Sequence, residues 1–147
     1  MAAKPMKKSS VKFDFRQSAR RHFEDAELLR RDVPPRLPNA EQLDGFSAEC
    51  ALKAILMALG CTRHPDGGPE KPFRVHVNAL WDQFLGYPGT ARYAACLPAP
   101  NPFSDWSVDH RYADAGSIPA YDEARRRDAA RAALDALDLA ISDGIIA

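Results

Sequence analysis

The stretch Ala40–Gly60, "AEQLDGFSAECALKAILMALG", decides the fold class. Leu43, Phe46, Cys50, Ala54 and Met57 recur at spacings of three and four, which puts them on one stripe of an α-helix. Ala51, Ile55 and Ala58 widen the stripe, so this helix is expected to be central. Asn39 reads as its N-cap and Gln42, three residues on, as the second half of a capping box. Gly60 can take the left-handed conformation that ends a helix. Glu49 and Lys53 are four residues apart in the order that favours an intrahelical pair. They read either as a surface pair or, since the helix is central, as part of a helix–helix or dimer contact.

Working outward, "DVPPRLP" stops an earlier helix, because proline lacks an amide hydrogen and clashes with the preceding turn. That helix runs from Ser18, with Ala19, Phe23, Ala26 and Leu29 at helical spacing. Residues 1–15 read as a flexible basic tail and residues 16–147 as a single helical domain. On the other side, "TRHPDGGPEKP" is full of turn formers. A third helix follows from about Val75 to Leu85, with Leu80, Trp81 and Phe84 facing inward and Gly86 and Pro88 ending it. Residues 89–97 predict a short helix. "FSDWSVDHRYADAG", Phe103–Gly116, predicts another, with Ser104 as N-cap, Asp105 favouring the dipole and Gly116 beyond the end. Pro119 suits the first turn of a last helix. There Leu134, Leu137 and Ile141 repeat at helical spacing, and Asp122–Arg126 and Glu123–Arg127 are four-residue pairs. No alternating strand pattern occurs. The expected fold is all-α, an antiparallel four- to five-helix up-and-down bundle.

The chain has 147 residues, 46% hydrophobic and 27% charged, enough to bury a core without a disulfide or metal staple. The formal net charge of zero argues against a strongly basic nucleic-acid binder. Yet residues 1–31 carry nine basic and four acidic groups, so the remainder is net acidic. This asymmetry reads as a solvated tail and helix face, or as an electrostatic patch for phosphate. Cys50, Cys61 and Cys96 lack metal-site or disulfide-framework spacing, and Cys50 reads as a small buried hydrophobe. The basic N-terminus has no apolar segment after it, and "ALKAILMALG" is too short to span a bilayer. A reduced, cytoplasmic setting without membrane attachment is expected.

The candidate chemistry gathers in Phe103–Gly116. His110 could serve as acid or base and Arg111 as the cation for a phosphorane charge. Neighbours on a helix point about 100° apart, so one helix does not aim both at one atom. The plainer reading, which is preferred, is that Arg111 pairs with a carboxylate such as Glu49 and His110 sits at the surface. Asp105, Asp109, His110 and Asp114 are oxygen and nitrogen donors, but their four-residue pairs fall on different helix faces, and no metal motif is present. His64 and His76 read as surface or capping histidines. Trp81, Phe84 and Trp106 read as core. "DGGPEK" lacks P-loop spacing, and no cofactor is indicated.

The order "RRHFEDAELL", "AEQLDGFSAECALKAILMALG", "VHVNALWDQF", "WSVDHRYAD" resembles the HEPN superfamily of small helical domains over about residues 16–140. "AECALKAIL" resembles that family's second helix, His76 with Leu80 the opening of its third, and "RY" near a tryptophan the entry to its last helical segment. The resemblance implies an antiparallel bundle, often a homodimer. It also implies RNA cleavage, nucleotide or RNA binding, or partnership with a nucleotidyltransferase in a toxin–antitoxin or defence-type context. Catalytic members carry Arg-x(4–6)-His on a late helix. Here Arg111 is present, but residues 116–118 are Gly, Ser and Ile and no histidine follows. Arg16 and His22 match the spacing on the first helix only. Six residues there turn about 600°, leaving the two side chains about 120° apart. The expected function is therefore a noncatalytic HEPN-like domain that dimerises and binds RNA, a nucleotide or a partner protein. Glu49, Lys53, His76, Asp109 and Tyr112 are its candidate binding residues. The alternative is a metal-independent endoribonuclease using His110 and Arg111 in a composite dimer site.

Overall fold

The computed structural model describes residues 11–60, 67–118 and 123–147. Among these the chain is all-α: α1 (Phe15–Arg31), α2 (Leu37–Ala58), α3 (Val77–Gly86), the single turn α4 (Ala91–Ala94) and α5 (Glu123–Ser142). Two short 3-10 helices, Val108–Tyr112 and Ala115–Ser117, lie between α4 and α5. No strand occurs among the described residues. Helix α2 packs chiefly on α1 and α5, with α3 also against it.

Helix α1 begins earlier than its apolar repeat suggests. The Asp14 carboxylate accepts the Gln17 amide at 2.9 Å, satisfying one of the free donors of the first turn. Ala19, Phe23 and Ala26 are buried, while Leu29 is half-buried. At α2 the expected capping box is absent. Arg36 occupies the cap position, Pro38 stands in the first turn, and Asn39 lies inside the helix. A proline in that turn sacrifices no hydrogen bond, so the helix extends upstream of Asn39. Gln42 reaches instead toward the Val108 carbonyl, at 3.5 Å.

Helix α2 is central as expected, but its most buried face is displaced. Ala48, Ala51, Leu52, Ile55 and Leu56 are fully buried. Phe46, Ala54 and Met57 are half-buried, and Ala58 is exposed. Elements cover α2 on several sides, which also buries Asp44, Ser47, Glu49 and Lys53. Ser47 relieves its own burial by donating to the Ala19 carbonyl at 2.7 Å. Burial pushes the Cys50 thiol up to about 12, as befits an inert core cysteine.

Leu80, Trp81 and Phe84 of α3 are fully buried, and Trp106 is 2% exposed. Trp81 Nε1 donates to the Pro98 carbonyl at 3.3 Å. The short helix expected in 89–97 is α4. The helix expected from Ser104 to Gly116 does not form. Trp106 is anchored in the core, its Nε1 donating to the Glu41 carbonyl at 3.3 Å, and Ser107 is extended. The Ser107 hydroxyl then accepts the Asp109 amide at 3.1 Å and starts only the 3-10 turn Val108–Tyr112. In α5, Leu134 and Leu137 are buried and Ile141 is half-buried. Arg126 and Arg127 make contacts across the fold, reaching Asp105 and Glu27 at 2.6 Å each. Pro119, Asp122, Cys61 and His64 lie outside the described residues.

Candidate functional site

Helix periodicity puts Phe46, Glu49 and Lys53 on one side of α2. The residue capping α3, His76, comes down beside them. Its side chain makes no cap to its own helix. Instead His76 Nδ1 lies 3.0 Å from Glu49 Oε1, while Lys53 Nζ donates to Glu49 Oε2 at 3.1 Å. The Glu49 side chain is 10% exposed and that of Lys53 11%, whereas the His76 side chain is 49% exposed. One carboxylate thus holds two basic groups, one buried and one facing outward. A carboxylate only accepts, so Nδ1 carries the shared hydrogen and a neutral His76 offers Nε2 as an acceptor.

Aromatic rings wall this cluster. Phe46 lies 5.8 Å from His22, 6.4 Å from His76 and 5.4 Å from Trp106, centroid to centroid. Burial, followed by the Arg21 charge, holds the His22 imidazole below its ordinary pKa, while Asp25 and Glu49 oppose that shift. In front of Glu49 is a cavity of about 290 Å³, lined by Phe13, Phe15, Glu49, Lys53, Arg74 and His76 among others. Phe13 and Phe15 stack nearly parallel, with ring centroids 5.8 Å apart and an interplanar angle of 13°. Lys53 Nζ lies 5.9 Å from the Phe15 ring centre. The cavity therefore offers a flat apolar wall, two cations and a histidine acceptor.

His110 and Arg111 lie elsewhere. They line a cavity of about 270 Å³ with Arg36, Asn39, Ala113 and Ile118 among others. The Arg111 guanidinium lies 4.7 Å from its neighbour's ring, Tyr112, and Glu49 is not its partner. Tyr112 is 76% exposed, and Asp109 is exposed too. At three residues per turn, His110 and Arg111 point about 120° apart in the 3-10 helix. Asp105 pairs with buried Arg126 at 2.6 Å rather than forming a four-residue step with Asp109. Among the described residues no group of three or more His, Cys, Asp or Glu side chains could hold a metal ion. Nor is any described helix long and apolar enough to cross a membrane.

The fold thus unites Glu49, Lys53 and His76 and leaves Asp109, His110, Arg111 and Tyr112 in another group. Sequence reasoning missed Phe13, Phe15, His22 and Arg74. The signal is "FDF", where two phenylalanines flank Asp14, the N-cap of α1, and their rings stack. Comparison with known proteins finds no matching family model, no matching curated protein and no matching solved structure.

Proposed function

We propose that this chain is a HEPN-like antiparallel helical module that binds a nucleotide in the Glu49–Lys53–His76 pocket and does not cleave RNA. One observation carries the reading. A carboxylate nine-tenths buried on the central helix holds Lys53 and His76 at once, in a cavity walled by two stacked phenylalanines. The volume takes a ring-sized group, and stacking of a base on an aromatic ring contributes about 1–3 kcal/mol. Lys53 and Arg74 supply cations for a phosphate, and the hydrogen bond to Glu49 holds Lys53 in place. Self-association, or pairing with a nucleotidyltransferase, belongs to the same reading through the resemblance of the helix order.

The ribonuclease alternative asks His110 and Arg111 to converge on one phosphate. Their placement on adjacent positions of a 3-10 turn, His110 half-buried and Arg111 exposed, lends that no support without a second copy.

Calorimetric titration with AMP, ATP, GTP and UTP tests the proposal. At least one nucleotide is expected to bind, with Lys53→Met and Phe13→Ala each weakening it about tenfold. Absence of binding across the panel, or equal affinity in both variants, would remove the reading. End-labelled RNA incubated in EDTA beside Arg111→Ala separates the alternative. Cleavage abolished in that variant would favour the enzyme.

A further inference from the structure

The positive charge concentrated in residues 1–31 has a structural counterpart on the flank of α1 away from His22. Arg20, Glu24, Glu27 and Arg31 recur at helical spacing along one face of α1, and Arg127 and Arg131 face them from α5. Between the helices runs an open groove of about 410 Å³ lined by these four arginines and two glutamates, with Phe23 and Leu134. A second cavity of similar volume shares Glu27, Arg31 and Arg127 and adds Arg30, so the groove continues toward the start of α2.

Pairing within the groove is unequal. Arg127 grips Glu27 through two hydrogen bonds of 2.6 and 3.0 Å, and Arg30 adds a third at 2.8 Å. The hydrogen bond from Arg127, with help from Arg30 and against the opposing effect of burial, holds the Glu27 carboxyl below its usual range, so its negative charge is already balanced by these arginines. Arg20 pairs with Asp138 at 2.5 Å. Arg31 and Arg131 have no carboxylate partner among the described residues. The Arg131 guanidinium instead lies 4.8 Å from the Phe23 ring, a contact that orders it without neutralising it. The apolar lining of the first cavity is buried, Phe23 at 5% and Leu134 at 4% exposure, and the second adds Leu37 at 36% but no aromatic ring.

We propose that this α1–α5 groove binds the phosphate backbone of a single nucleic-acid strand without reading its bases. Guanidinium forks match phosphate oxygens in pairs. Arg127 and Arg131 are about 6 Å apart along their helix. An open groove spanning two cavities suits an extended polyanion better than a compact metabolite. With no exposed ring, bases have no stacking platform, which makes recognition blind to sequence. This surface is independent of the Glu49 pocket.

Fluorescence anisotropy with labelled oligouridylate and oligothymidylate over a salt series tests the proposal. Both strands are expected to bind. Arg31→Ala combined with Arg131→Ala is expected to weaken binding about tenfold or more and to flatten the salt slope by about 1.4, two contacts at about 0.7 each. Glu24→Gln is expected to tighten it, and Lys53→Met to leave it unchanged, which separates this groove from the nucleotide pocket. Circular dichroism melts confirm that each variant folds. An absence of wild-type binding at low salt overturns the proposal. So does an unchanged slope in the double variant, or displacement by polyglutamate as effective as by unlabelled oligouridylate.

Discussion

Gly45 sits inside α2, where glycine costs about 1 kcal/mol relative to alanine. Its place is explained by Trp106, sixty-one positions along the chain in the sequence, whose indole would overlap any Cβ added there. Gly45→Ala therefore raises helix propensity yet forces Trp106 from the core, and with it the bond to the Glu41 carbonyl. Urea denaturation should show a loss of about 2–3 kcal/mol, in the range of overpacked cores. A neutral or stabilised variant would mean that Trp106 yields freely. The glycine was visible in "QLDGFS", but not its reason. Helical periodicity relates residues three or four apart, and this contact is with a tryptophan far along the chain.

At the scale of elements, the chain between α4 and α5 divides into an anchored part and a loose part. Asp105 and Trp106 tie it down, Asp105 by pairing with Arg126 of α5, whose side chain is 2% exposed and also faces Glu41 of α2 at 3.8 Å. Removing Arg126 takes this cation from Glu41, whose side chain is 9% exposed, while Asp105, 58% exposed, returns to water. Arg126→Met should cost about 3 kcal/mol by equilibrium denaturation. The following 3-10 turn lies at the surface, and Tyr112→Ala should change stability by no more than about 0.5 kcal/mol. Equal effects of the two substitutions would contradict this division. Sequence periodicity alone cannot draw it. Ser104 and Asp105 look like a helix start, and only the anchoring of Trp106 shows that the chain is extended at Ser107 and turns tightly afterwards.

Across the whole molecule, the perturbed acid and imidazole groups bias stability in one direction. His22 is held below its ordinary 6.5 by burial. Its folded pKa is depressed, so the unfolded chain binds the proton first. That contribution is present above pH 6.5 and is lost as pH falls through the lower folded value. Glu27 is lowered by its bond to Arg127, and Asp143 by its bond to Arg92. Their contributions are present above the ordinary carboxylate range and disappear only in stronger acid. Thermal melts should therefore fall in two stages on acidification, the first beginning near pH 6.5. His22→Gln should flatten the first stage and leave the second. An unaltered slope in that variant would assign the first stage to another group.

The order of helices, the centrality of α2, the burial of Trp81, Phe84 and Trp106, and the Glu49–Lys53 pair were determined by local spacing. A helix repeats every 3.6 residues, and its side-chain neighbours are written three or four letters apart. Tertiary structure alone decided that His76 meets Glu49, that Arg126 is buried beside Asp105 and Glu41, and that four arginines of α1 and α5 share one groove. These contacts join separate helices, and their partners follow from how the helices pack, which no local repeat encodes. The same reason explains why Asp109, His110 and Arg111 stand out as a dense run of letters, while the cavity beside the central helix gathers its residues from three distant stretches, 13–15, 49–53 and 68–76.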